Sequence, residues 1–116
     1  MQHSTTMHIS STLKTGRIAK GEKISSGCVC LAPGEEIGSH STQCGEEVII
    51  ILEGEATLEF SGMDDSNKDN DLKCNHNKKI KKDECVFVPQ NTIHNVKNLS
   101  DTNLRYIYVV GGKKKE

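Results

Sequence analysis

A run of five consecutive apolar residues, Val48–Leu52, constrains the fold of this chain more than any other feature. Four of the five are β-branched, and such side chains favour strands over helices. A strand that is apolar on both faces has to be covered on both faces. We therefore predict a strand that lines a core on one face and meets a second sheet or a second subunit on the other.

Short strands separated by turn residues account for most of the remaining chain. Apolar or alternating stretches lie at residues 24–31, 56–60, 85–88, 94–98 and 104–110. Residues typical of turns bound these stretches, and no stretch has the period of an amphipathic helix. A chain of 116 residues has the length of a single domain. The sequence therefore predicts an all-β sandwich or small barrel.

The boundaries of this domain follow from composition. We expect the barrel to span residues 16–110, between a flexible N-terminal arm at residues 1–15 and a polar tail at residues 111–116. Residues 61–82 are rich in Asp, Asn, Lys and Ser without periodicity, which predicts a charged surface insertion. Cys74 and His76 fall in this insertion without two further ligands nearby, so we expect no structural zinc site there.

Charge and cysteine content exclude several classes of partner. Lys and Arg number 15 against 16 Asp and Glu, and a formal net charge of -1 provides no field to hold nucleic acid. The apolar runs are far shorter than the roughly 20 residues that cross a bilayer, so we expect no membrane span. Five cysteines, an odd number, favour reduced thiols, and the expected location is the cytoplasm.

Three polar residues are candidates for a metal site. His40 precedes the apolar strand, Glu47 begins it, and His94 lies on a later predicted strand. An acid at the edge of a core needs a partner, because an unpaired buried charge is costly. Two imidazoles and one carboxylate form a donor set used for mononuclear metal centres, with Fe, Mn, Ni and Zn among the ions it accepts.

Two motifs that contain these residues resemble the motifs of the cupin superfamily. The first family pattern, Gly-x5-His-x-His-x(3,4)-Glu-x6-Gly, resembles Gly34-x5-His40-x-Thr42-x4-Glu47-x6-Gly54 at four of its five fixed positions. The second, Gly-x5-Pro-x-Gly-x2-His-x3-Asn, resembles Asp83-x5-Pro89-x-Asn91-x2-His94-x3-Asn98. Asn91 stands at a glycine position, and Asn tolerates the left-handed backbone that Gly would supply. Agreement of two independent motifs makes the resemblance specific.

The resemblance implies a single-domain cupin of the conserved-barrel type, a jelly-roll β-barrel. It implies that His40, Glu47 and His94 bind a divalent metal ion. Thr42 stands where the family has a second His, and we expect it to donate a hydrogen bond to bound water or substrate, with Gln43 or Cys44 as alternatives. The resemblance also implies a homodimer, covering the apolar face that points away from Glu47.

Two classes of function remain open from the sequence. The first is a metal-dependent enzyme of dioxygenase, isomerase or lyase type that acts on a small anionic or oxygen-rich metabolite. The second is a non-catalytic cupin that binds or senses a small molecule, with or without metal. In the metal-free form of the second class, the two His and the Glu would form a hydrogen-bonded polar cluster.

Overall fold

The computed structural model describes residues 4, 6, 8, 9, 14–63 and 76–112. These residues contain nine strands and no helix, so none of them forms a helix that could span a membrane. The strands are β1 (Gly16–Lys20), β2 (Ile24–Leu31), β3 (His40–Ser41), β4 (Gly45–Glu53), β5 (Glu55–Met63), β6 (His76–Lys81), β7 (Cys85–Val88), β8 (Thr92–Lys97) and β9 (Leu104–Gly112). The prediction of an all-β fold is confirmed.

The strands form two antiparallel sheets that enclose the core between them. One sheet has five strands in the order β1-β2-β9-β4-β7, and the other has four in the order β3-β8-β5-β6. Strands that are distant in sequence are neighbours in each sheet, as a jelly-roll barrel requires. Both sheets contribute to the core, whose buried members are Val29, Leu31, Ile49, Ile51, Ala56, Leu58, Ile80, Val86, Val88, Val96, Leu104 and Tyr106.

The apolar run lies on β4, between β9 and β7. Ile49 and Ile51 are buried at 0% and 1% exposure, whereas Ile50 between them is 37% exposed. One face of the strand therefore lines the core, as predicted. The opposite face lies on the outer surface of the five-stranded sheet, where Val48 and Leu52 are half-buried.

Two strands occupy the ends of the segment that we predicted to be an irregular insertion. β5 continues to Met63, and β6 pairs with β5 from His76, opposite Phe60, to Lys81, opposite Glu55. Residues 64–75 lie outside the described residues. Because β6 is an edge strand, Ile80 is its one buried side chain, and the alternation that identifies a strand in sequence is absent.

Smaller differences concern the ends of the domain. Gly111 and Gly112 are predicted to belong to the polar tail. In the structure, β9 extends through both residues, because they pair with the start of β4. Neither has a side chain, so the sequence carries no alternation to show that the strand continues. β8 covers Thr92–Lys97 rather than residues 94–98. β1 begins at Gly16, and most of the predicted N-terminal arm lies outside the described residues.

Four motif positions share one backbone property. Gly34 and Gly54 have φ angles of 89° and 85°, and Asp83 and Asn91, which stand at glycine positions of the second motif, have φ angles of 74° and 54°. All four residues therefore adopt the left-handed region that favours glycine. Asn91 behaves as expected from its tolerance of this region, and Asp83 shows that the backbone turn persists without glycine.

Candidate metal centre

The two sheets bring the three candidate ligands together at one end of the barrel. His40 on β3 and His94 on β8 are directly opposite each other, so their side chains are neighbours on one face. Their ring centroids are 4.3 Å apart. Glu47 reaches the same point from β4 of the other sheet, because it begins the core-lining face of that strand.

The geometry of these side chains is that of a compact donor set. One nitrogen of each His and one carboxylate oxygen of Glu47 all lie within 4.8 Å of one another. His94 is 0% and Glu47 8% exposed, whereas His40 is exposed. The cluster therefore has a buried side toward the core and an open side toward solvent.

Backbone carbonyls determine which nitrogen each imidazole presents. Nδ1 of His40 lies 2.9 Å from the oxygen of Gly38, and Nδ1 of His94 lies 3.2 Å from the oxygen of Thr92. A carbonyl oxygen only accepts, so each Nδ1 carries a proton and donates it. Nε2 is therefore the nitrogen that remains available to a metal ion in both residues, which is the arrangement that orients metal-binding His in proteins.

Asn95 fixes the loop that orients His40. Its side-chain oxygen accepts a hydrogen bond of 2.8 Å from the backbone nitrogen of Gly38, whose carbonyl in turn accepts from His40. The side-chain nitrogen of Asn95 donates to Glu36, which lies on the same loop. Asn95 is buried, so this connection between β8 and the loop before β3 is shielded from water.

His94 and Glu47 also contact each other directly. Nε2 of His94 lies 3.0 Å from a carboxylate oxygen of Glu47. When both ring nitrogens of His94 donate, the imidazole is a cation and the contact is a buried ion pair. When a metal ion lies between the two residues, it takes the place of the proton on Nε2. The same side chains therefore suit a metal centre or a polar cluster.

Tyr106 lies on the core side of this cluster, where it is 3% exposed. Burial, followed by the negative charge of Glu47, raises the pKa of its phenol above the ordinary value. Tyr106 therefore remains a neutral hydroxyl over the range in which proteins are stable. Glu47 is itself buried, so the interaction of its carboxylate with a cation is weakly screened.

Thr42 contacts the backbone of the turn before β8. Its hydroxyl donates to the carbonyl of Pro89 at 2.7 Å and accepts from the backbone nitrogen of Thr92 at 3.1 Å. A hydroxyl has one proton, which Pro89 here receives, so the geometry differs from the predicted donation to bound water or substrate. Thr42 instead joins the turn after β3 to the strand that carries His94.

Gln43 and Cys44 face a different part of the surface. Together with Thr42 they line an open cavity of about 240 Å³ that is bounded by the β1–β2 turn and the end of β9. The described residues that line this cavity do not include the three candidate ligands. The Gln43 carbonyl accepts a hydrogen bond of 2.7 Å from the backbone nitrogen of Asn91, so this residue also connects the two turns.

His76 is the residue that sequence reasoning missed. Phe60 on β5 is opposite His94 on one side and opposite His76 of β6 on the other. The rings of Phe60 and His76 are stacked, with centroids 4.9 Å apart, and Phe60 lies 6.5 Å from His94. His40, His94, Phe60 and His76 thus form one row across the four-stranded sheet, which we name the ring row. The sequence signal was the alternation of Ala56, Leu58 and Phe60, which places Phe60 inside.

The sequence profile of the cupin-domain family matches residues 27–110 of this chain. The match covers more than half of the chain and includes all three candidate ligands. This protein therefore belongs to the cupin family, as the two motifs indicated. A comparison with curated proteins finds no match.

Solved structures share the same fold at low sequence identity. The cupin domain of Cnp3 from Schizosaccharomyces pombe is 18% identical, with a TM-score of 0.69 over 85% of this chain and 60% of that one, so this chain spans less than two thirds of it. KdgF from a Halomonas species is 13% identical, with a TM-score of 0.66 over 87% of this chain and 79% of that one. An oxalate oxidase is 17% identical, with a TM-score of 0.66 over 78% of this chain and 42% of that one. Identities of this size show the fold alone.

Proposed function

We propose that this protein is a metal-dependent cupin enzyme that acts on a small anionic or oxygen-rich metabolite. His40, Glu47 and His94 would hold one divalent ion, with Fe, Mn, Ni and Zn as the candidates. The observation that carries the proposal is the orientation of the two imidazoles. Each donates its Nδ1 proton to a backbone carbonyl, which leaves Nε2 as the nitrogen available to a metal ion, and Nε2 of His94 lies 3.0 Å from the Glu47 carboxylate.

The charge of this donor set favours an anionic substrate. Two neutral imidazoles and one carboxylate leave a divalent ion with a net positive charge, which attracts a carboxylate or an enolate. When bound, the ion supplies Lewis acidity, and a redox-active ion also supplies electron transfer. One protein with this fold is named for its action on oxalate, a small acid.

The surrounding residues support binding and orientation of such a substrate. His94 and Glu47 are buried, so substrate approaches from the exposed side, where His40 lies. Val88, opposite Glu47 on β7, and Ile49, next along the core-lining face of β4, are completely buried and exclude water from the core side. Dioxygenation, isomerisation and lyase chemistry are all compatible with this arrangement, because fold does not select among them.

The alternative is a cupin that binds or senses a small molecule without catalysis. It is favoured by the 3.0 Å contact between His94 and Glu47, since an imidazolium and a carboxylate satisfy each other without a metal ion. In the metal-free form, His40, Glu47 and His94 would form a hydrogen-bonded polar cluster within the same barrel. Metal content separates the metalloenzyme from the metal-free form of this alternative.

The decisive experiment is elemental mass spectrometry on untagged protein produced with Fe, Mn, Ni and Zn in the medium. We expect about one metal ion per chain in the wild type and its loss in His40→Ala, which removes an exposed ligand and so leaves the core intact. His8→Ala, which removes another exposed His, is the matched control and should retain metal. Wild-type protein that stays metal-free after reconstitution would overturn the enzyme proposal in favour of the alternative.

We further propose that two copies pair through the outer face of the five-stranded sheet. Val48 of β4 lies opposite Phe87 of β7, which is 54% exposed, and the adjacent Ile50 is 37% exposed. A face of this composition is typical of an interface. Light scattering after gel filtration should show a dimer that Phe87→Lys converts to a monomer, and a monomeric wild type would refute the pairing.

The proposed location is the cytoplasm, because an odd number of cysteines favours a reducing compartment. Fractionation of the source cells with an antibody to this chain would test this proposal. Recovery in a membrane or secreted fraction would contradict it.

A further inference from the structure

The ring row continues beyond the candidate metal centre to the edge of the barrel. Residues that are directly opposite in an antiparallel ladder share a face of the sheet. Phe60 shares its face with the buried Leu58 and packs against the core, so it lies on the inner face. His76, opposite Phe60, lies on that same inner face at the edge strand β6, and its side chain is exposed.

A second basic residue lies on the same face of β6. Lys78 is two residues beyond His76 and opposite the buried Leu58, so its side chain leaves the strand on the inner side. It is exposed at the sheet edge. Lys79 and Lys81 alternate to the outer face, where Lys97 and Glu59 form an ion pair of 3.0 Å. His76 and Lys78 thus provide hydrogen-bond donors at the edge of the barrel, on the side of the ligand cluster.

The spacing of the row sets the size of a molecule that would reach both ends. Two strand spacings separate His94 from His76, which is roughly 10 Å. A metal–oxygen bond of about 2.1 Å and a hydrogen bond of about 2.8 Å would take up the ends of that distance. Roughly 5 Å remains for the ligand itself, alongside the apolar ring of Phe60.

We propose that the ring row binds a small dicarboxylate whose two ends carry the charge. One carboxylate lies at the centre formed by His40, Glu47 and His94, the carbon chain lies against Phe60, and the second carboxylate accepts hydrogen bonds from His76 and Lys78. An acid of about four carbons fits the remaining distance when its chain is extended, and acids of about five or six carbons fit it when the chain is bent. The inference rests on the proposed function, because the first carboxylate is held by the bound metal ion.

The test compares acids of graded length on protein loaded with the metal ion found by elemental analysis. Isothermal titration calorimetry would measure the affinities of butyrate, malonate, succinate, glutarate and adipate. We expect succinate, glutarate or adipate to bind about tenfold more tightly than butyrate, which has one carboxylate. Malonate is too short to reach His76 but can chelate the metal ion with both carboxylates, so its affinity should be the same in the wild type, His76→Ala and Lys78→Ala.

Three variants assign the effect to particular residues. His76→Ala and Lys78→Ala should each reduce the affinity for the longer dicarboxylates by at least threefold more than the affinity for butyrate. Lys79→Ala removes a lysine from the outer face of the same strand and should change neither affinity. Because all three side chains are exposed, the variants should fold.

The outcomes separate this inference from the proposal on which it rests. A metal-loaded protein that binds butyrate and the longer dicarboxylates equally would overturn the inference alone. A preference that persists in both His76→Ala and Lys78→Ala would also overturn it. A protein that takes up no metal would overturn the proposed enzyme function and this inference together.

Discussion

The two sheets of this barrel differ in what they contain. Among the described residues, the five-stranded sheet contributes most of the apolar core, and its one buried charged or polar residue is Glu47. The other buried polar residues lie on β5, on β8 or immediately after β8: Thr57, Thr92, His94, Asn95 and Asn98. One sheet therefore supplies hydrophobic stabilisation, and the other supplies oriented polar groups.

This difference has an energetic basis. Apolar side chains need only burial, whereas every buried polar group needs a partner of defined geometry. Asn98 illustrates the second case, because its side chain donates to the carbonyls of Leu31 and Thr102 at 2.9 and 2.8 Å. Substitutions of apolar residues in the five-stranded sheet should therefore change stability, and substitutions that affect the polar residues of the four-stranded sheet should change the site.

The largest effect is expected for Ile49→Ala in the five-stranded sheet. Ile49 is completely buried, and removing three carbons from a packed core costs about 3 kcal/mol. Urea unfolding followed by circular dichroism would measure the loss. Metal content per folded chain should stay at the wild-type value. A loss of metal in the folded variant would show that packing in the five-stranded sheet also determines metal binding.

A smaller loss is expected for Gly27→Ala in the same sheet. A Cβ atom at Gly27 would lie 2.5 Å from the hydroxyl oxygen of Tyr108 and 2.9 Å from the carbonyl oxygen of Gly16. Since the Tyr108 ring or the β1 backbone has to move, we expect a cost of about 2 kcal/mol in the free energy of unfolding.

Gly16→Ala is the matched control for this prediction. A Cβ at Gly16 would meet nothing within 4 Å, so its effect should stay within about 0.5 kcal/mol. Thermal unfolding of both variants at equal concentration compares them directly. Equal losses in the two variants would rule out steric contact with Tyr108 as the cause.

Thr42→Val should change the site more than the stability. It keeps the shape of the side chain but removes the hydrogen bonds to Pro89 and Thr92, which hold the strand that carries His94. We expect metal affinity to fall by about tenfold, as for other groups that orient ligands. Competition with a metal-binding dye would measure it, and Thr42→Ser should retain most of the affinity. An unchanged metal affinity in Thr42→Val would show that Thr42 does not position His94.

The smallest effect is expected for Asp83→Gly in the turn before β7. Asp83 has a φ of 74°, a region where residues with a side chain are strained and Gly is not. The substitution should stabilise the protein by up to about 1 kcal/mol, measured by urea unfolding. A destabilised variant would show that the Asp83 side chain makes a contact more important than the relief of strain.

The spacing of residues in the two motifs was sufficient to predict the three candidate ligands. His40 and Glu47 belong to one motif and His94 to the other, and the resemblance of both motifs to those of the cupin family implied that the three residues meet. The contact between the two motifs depends on the pairing of β3 with β8. Thr42 shows the limit of this reasoning. Parity places its side chain on the face of His40, but its hydroxyl contacts a turn 47 residues away, which no local pattern specifies.

The sequence alone determined the all-β class, the central strand at Val48–Leu52 and the cupin family, because periodicity and motif spacing are local properties of the chain. Tertiary structure decided the ring row. Strand register aligned Phe60 with His76 across β5 and β6. The sequence of β6 does not indicate this alignment, because most of its side chains are exposed and show no alternation of apolar and polar residues. Register depends on which strands are neighbours in the folded sheet, so only the tertiary structure places His76 in the ring row.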